Sequence, residues 1–142
     1  MAIEFIFNTL KSNLKNYIMK ISKEFQNGFL IFLGIAIYFL FMNLVGLSDV
    51  FYLRLFNTLF VLYGVNRTIM MNIHDGEVLL ANNAKSAMKT SLIGVFLSII
   101  GLIIFSYLQG GDQYVQSLSK TFLFGGNPSV MTYSICLLFE GI

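Results

Sequence analysis

The stretch from Ser91 to Leu108 most narrows what this chain can become. Its 18 residues contain no charge and no proline. At about 1.5 Å per residue, a helix of that length approaches the hydrocarbon thickness of a bilayer. With its lead-in, the stretch also carries a stripe of small residues. Ala84, Ala87, Ser91, Gly94, Ser98 and Gly101 fall at alternating steps of three and four. On a helix these residues share one narrow face, which lets a second helix come close.

Composition supports a bilayer setting. The apolar fraction is 56% and the charged fraction 11%, against roughly 45–50% and about 25% in soluble domains. A net charge of +2, with the basic residues not spread over a soluble face, argues against nucleic-acid binding. The single Cys136 cannot form an internal disulfide and reads as a buried, inert thiol. The first apolar patch, at residues 3–7, is too short for a signal-peptide core and is followed by Lys11 rather than a cleavage site.

Residues 1–26 predict an amphipathic basic helix. Ile3, Ile6, Leu10, Leu14, Ile18, Ile21 and Phe25 recur at helical spacing, with Lys11, Lys15, Lys20 and Lys23 largely between them. Such a helix suits the headgroup plane of a membrane; the alternative is that it covers a partner protein. Asn27-Gly28 reads as the break before a first span at about 29–47. Gly46-Leu47-Ser48-Asp49 reads as a tight return, with Ser48 or Asp49 capping the next helix.

A second span is expected at about 50–66. Its Arg54, Asn57, Val61, Gly64 and Thr68 form a stripe at steps of three and four, the natural partner for the small-residue stripe. Arg54 lies near the start of this span, where it can snorkel to headgroups. A polar link at 66–90 with a turn at Asp75-Gly76 leads through a short helix to a third span at 91–108. Asn127 as N-cap and Pro128 at the first helical position predict a fourth span at 128–142, whose apolar end reads as continuing past Ile142.

The expected fold is therefore a single all-α membrane domain over 1–142: a helical bundle of four transmembrane helices with an interfacial helix at its N-terminus. With the N-terminus in the cytoplasm, Lys11, Lys15, Lys20, Lys23, Arg67, Lys85 and Lys89 lie inside and only Arg54 and Lys120 outside. This satisfies the positive-inside rule and predicts a multi-pass protein of the bacterial cytoplasmic membrane.

Little in the sequence points to catalysis. His74, Asp75 and Glu77 hold metal-ligand atoms, but they fall on a turn without further ligands. No cofactor or metal is expected. Arg54, Asn57 and Glu140 form a candidate intramembrane polar site, because ionisable groups at depth are functional by default. Glu140 reads equally as an end residue. The helix-packing set is Ala87, Ser91, Gly94, Ser98 and Gly101 with Asn57 and Gly64.

The segment 72–102, with Asp75-Gly76, Ala84-Lys85 and Ala87-Met88-Lys89 before an apolar span, resembles a Bacteroidota family of small four-span membrane proteins catalogued as a domain of unknown function. That resemblance implies four spans and a continuation past Ile142, and carries no activity. The functional expectation is a non-enzymatic accessory or scaffold subunit, partnered by the lipid bilayer and by other membrane subunits or a second copy. The alternative is a small oligomeric transporter or channel, with Asn43, Arg54, Asn57 and Glu140 lining a path.

Overall fold

The structure is a computed structural model describing residues 1–48, 50–119 and 127–141; the side chains of 16–20, 51, 140 and 141 are not among those described. The described residues form helices and turns: α1 (Ala2–Lys20), α2 (Lys23–Val45), α3 (Phe51–Arg54), α4 (Asn57–His74), α5 (Leu80–Leu108), α6 (Asp112–Leu118) and α7 (Val130–Gly141).

The fold is built on α2, α4 and α5. The order of contacts along α2 sets its directions. Glu24 meets Ser86, Asn27 meets Thr68, and Tyr38 meets Leu53. Gly28 lies against Ile93, and Phe39 stacks edge-on with Phe105 at 5.7 Å. α5 therefore runs parallel to α2, and α4 runs antiparallel to both. Glycines set the spacing. A β-carbon at Gly64 would lie 2.3 Å from Ile31, and one at Gly94 would lie 2.7 Å from it. Ile31, 1% exposed, is thus wedged between α4 and α5.

The ends of the helices follow local chemistry. Ser22 caps α2, its hydroxyl accepting from the Phe25 N–H at 3.3 Å. Gly46, at φ 75°, closes it in the left-handed region, and the Leu47 N–H returns to the Met42 carbonyl at 3.0 Å. Ser129 caps α7 by accepting from the Thr132 N–H at 3.2 Å, while the Asp112 carboxylate accepts from the Val130 N–H at 2.8 Å. A cluster of Val115, Leu118, Val130 and Tyr133 joins α6 and α7 to the Leu108 half of α5.

Several boundaries depart from the sequence expectation. Two helices, Lys23–Val45 and Leu80–Leu108, are long and apolar enough to cross a membrane, rather than four. The second span is broken: Tyr38 donates to the Leu53 carbonyl at 2.8 Å, and Leu55 to Leu59 are wound by tight i to i−3 bonds. The helix beyond that break, α4, carries Asn57, Asn66, Arg67 and Asn72, too polar to pass alone. The helix that holds the expected third span is longer than 91–108, because the lead-in from Leu80 is continuous with it. α7 starts at Val130, two residues late, and has 12 residues, about 18 Å of helix. Asn27 and Gly28 are not a break. Both are buried inside α2, and the break falls at Ile21-Ser22, which hands Lys23 to α2. The Asp49 cap and Lys120 lie outside the described residues.

Candidate functional site

Two polar clusters occupy opposite ends of the three-helix unit. The first lies between α2, α4 and α5 near Lys23. Asn27, Thr68 and Thr90 are 3%, 0% and 0% exposed. The Asn27 amide donates to the Thr68 hydroxyl at 2.9 Å, and the Thr68 and Thr90 hydroxyls are 2.9 Å apart. Each hydroxyl also faces the carbonyl four residues before it, Gly64 at 3.1 Å and Ser86 at 2.9 Å. Two hydroxyl protons are thus shared among three contacts, since each threonine has one to give. One turn outward, Ser86 donates to Glu24 at 2.9 Å, and Lys23 forms an ion pair with Asp75. The Lys23 ammonium, as hydrogen-bond donor and then as charge, holds the Asp75 carboxyl below the usual carboxylate range.

The second cluster is a clasp at the other end. One guanidinium nitrogen of Arg54 donates to the Ser48 carbonyl at 3.3 Å and to the Leu118 carbonyl at the end of α6. The same guanidinium stands 5.6 Å from the Tyr133 ring centre. A cation on the last carbonyl of a helix also meets its negative end. Tyr114 of α6 donates to Asn43 of α2 at 3.1 Å; burial pushes its hydroxyl above the ordinary phenol range, so it stays a neutral donor. A cavity of about 20 Å³ between Tyr38, Met42, Leu47, Arg54 and Asn57 has room for roughly one water. The Asn57 Oδ1 is buried there and finds no hydrogen-bond partner among the described residues.

The structure redistributes the sequence-derived sites. Arg54 does not snorkel: its guanidinium is held by backbone and ring. Gly64 and Gly94 do pack helices, but both face Ile31 of α2 rather than each other, and Gly101 faces Phe32 of α2. Ala87, Ser91 and Ser98 are half-buried. The Ser98 hydroxyl bonds the Gly94 carbonyl at 2.8 Å, and Ser91 bonds that of Met88 at 2.9 Å. Lys11 and Lys15 are exposed, whereas Lys23 is spent on Asp75. The side chains of Lys20 and Glu140 lie outside the described residues. His74 is 90% exposed, Asp75 pairs with Lys23, and Glu77 accepts from the Leu79 N–H at 3.3 Å. Among the described residues no His, Cys, Asp and Glu group is arranged as a metal site.

Asn27, Ser86 and Thr90 escape a reading of the sequence alone. Asn27 looks like a helix break because Gly follows it. Thr90 lies one position off the small-residue stripe, and its own spacing to Asn83 and Gly94 is the available signal. Chemically, the buried cluster consists of neutral amide and hydroxyl groups, suited to holding helix register. Compared with family models, curated proteins and solved structures, the chain finds no match.

Proposed function

We propose that the chain is an integral membrane scaffold subunit whose α2, α4 and α5 cross a bilayer together and whose remaining apolar faces seat lipid and another membrane subunit. The observation that carries this reading is the parallel pairing of the two apolar helices. If α2 and α5 both cross in the same direction, the chain between them must cross back. α4 is the segment that does so: Thr68, Asn72 and the Asn57 Oδ1 are buried, while Asn66 and Arg67 stand exposed about two turns from the His74 end, where a long side chain reaches headgroups. Backbone polarity is satisfied within each helix, as a bilayer requires.

Surface area points the same way. The chain exposes 9974 Å², where a compact soluble chain of its mass exposes roughly 7400 Å². Only 17% of each apolar window is buried, and Phe41, Leu44, Phe96, Ile104 and Leu108 stand outward at 60%, 87%, 60%, 57% and 79%. Patches of this extent mark membrane or protein contact. The polar residues of the transporter alternative divide differently: Asn43 and Arg54 are engaged in helix contacts, which favours packing over a path. Lys23, Lys85 and Lys89 gather at one end of the unit. By the positive-inside rule that end, and the N-terminus with it, belongs in the cytoplasm of a bacterium.

The test is extraction of the native membrane in mild detergent, followed by mass measurement of the intact complex. A fixed ratio of this chain to another membrane subunit, or to itself, is expected. Recovery as a monomer, with no companion after in-membrane crosslinking from Phe96, would overturn the scaffold role.

A further inference from the structure

We infer that α1 is an anchor for an anionic lipid surface, lying along the headgroups at the basic end of the three-helix unit. The inference rests on the membrane reading above and adds to it a lipid preference. Every residue from Met1 to Lys15 is exposed, so this helix leaves a whole apolar face uncovered. Ile3, Phe7, Leu10 and Leu14 stand out at 83%, 66%, 56% and 60%. At helical spacing these four share one arc with Ile6, and Lys11 and Lys15 border it.

Charge and continuity identify the occupant. α1 ends at Lys20, and Ser22 starts α2 afresh. Only Ile21 and Ser22 therefore separate α1 from the end of the unit that bears Lys23, Lys85 and Lys89. Asp75 already neutralises Lys23, and Glu24, bonded to Ser86, sits beside it. Asp75 and Glu24 are thus engaged within the unit, while α1 sets the exposed Lys11 and Lys15 against one exposed carboxylate, Glu4. An apolar arc edged by lysines matches an anionic headgroup layer over an acyl layer. Each lysine near such a surface favours the bound form by about fivefold, and salt screens it.

The chain contains no tryptophan, so Phe7→Trp in the full-length protein gives a single reporter. It is reconstituted into vesicles of phosphatidylcholine alone and of phosphatidylcholine mixed with phosphatidylglycerol. Blue-shifted emission and quenching by brominated acyl chains are expected in the mixed vesicles, weakening with salt and in the added Lys11→Gln/Lys15→Gln variant. Equal emission in the two vesicle types overturns the inference, as does a reporter shielded only when a partner protein is added. Alkaline washing separates the two readings. Protein that stays in the vesicles with a water-exposed reporter defeats the lipid anchor alone, whereas protein washed from both defeats the membrane reading and this inference with it.

Discussion

The β-carbon of Ile31 occupies the space a side chain at Gly94 would need, 2.7 Å from where that side chain would begin. Ile31 also meets Gly94 through Cγ2 at 2.7 Å and Cδ1 at 3.1 Å, whereas it meets Gly64 through Cγ1 at 2.3 Å and Cδ1 at 2.6 Å. Both Gly64→Ala and Gly94→Ala should therefore lower stability by about 1–3 kcal/mol through overpacking. The atoms involved make their rescue unequal. Ile31→Ala deletes Cγ1 and Cδ1, so it should relieve Gly64→Ala of both Ile31 contacts; at Gly94 it deletes Cγ2 and Cδ1 but keeps Cβ at 2.7 Å, so it should relieve Gly94→Ala only in part. A double-mutant cycle on detergent-solubilised protein measures both coupling energies. Equal coupling would mean that the wedge is not seated as described.

The Asn27–Thr68–Thr90 cluster gives a second asymmetry. Thr68→Val takes away the oxygen acceptor of the Asn27 amide and leaves it only the weak Met71 sulfur acceptor, at 3.5 Å, at a site 3% exposed. The expected loss is about 1–3 kcal/mol. Thr90→Val strands no donor, because Thr68 can still accept from Asn27 and donate to Gly64. Its cost should be under about 1 kcal/mol. Chemical denaturation of the two variants in one detergent decides the order, and a larger loss for Thr90→Val would contradict the arrangement.

Arg54 fastens α3 and the Ser48 carbonyl to α6 and α7. Arg54→Lys keeps the charge but is shorter and loses the planar group that faces the Tyr133 ring, and so should behave closer to Arg54→Ala than to the parent. Faster amide exchange at residues 112–119 is expected in both variants, with α2 unchanged. Parent-like exchange in Arg54→Lys would show that charge alone holds α6.

Which of these features the sequence announces depends on whether a residue's role is local. The apolar runs of α2 and α5, the stripe through Asn57, Gly64 and Thr68, and the returns at Gly46 and Asp75-Gly76 arise from spacing and turn chemistry. Other features depend on contacts between distant segments. α3 is separated from α4 where Tyr38 takes the Leu53 carbonyl. Gly94 faces Ile31 because α5 lies parallel to α2, which spacing within α5 cannot reveal. Asn27-Gly28 carries a turn signature that tertiary packing overrides, its glycine admitting Ile93 at 2.6 Å from the position of a β-carbon.

Acidification should release the end of α4 nearest Lys23. The Asp75 carboxyl titrates below its ordinary value because Lys23 bonds and charges against it. A depressed folded pKa contributes stability above the unfolded value, about pH 4, and loses that contribution as pH falls through the folded one. Amide exchange at residues 75–79, corrected for intrinsic rates, should rise on going below about pH 4 and should already be raised at neutral pH in Asp75→Asn. Unchanged protection in Asp75→Asn would show that the ion pair does not hold this turn.

The most direct test of the membrane reading is sidedness. In a Cys136→Ser background, Leu47→Cys just after α2 and Val78→Cys just after α4 place single thiols at exposed positions at opposite ends of the three-helix unit. In intact bacteria an impermeant thiol reagent should label Leu47→Cys, and should label Val78→Cys only after the membrane is opened. Labelling of Val78→Cys in intact cells, alongside Leu47→Cys, would contradict a three-helix unit crossing the bilayer with its basic end inside.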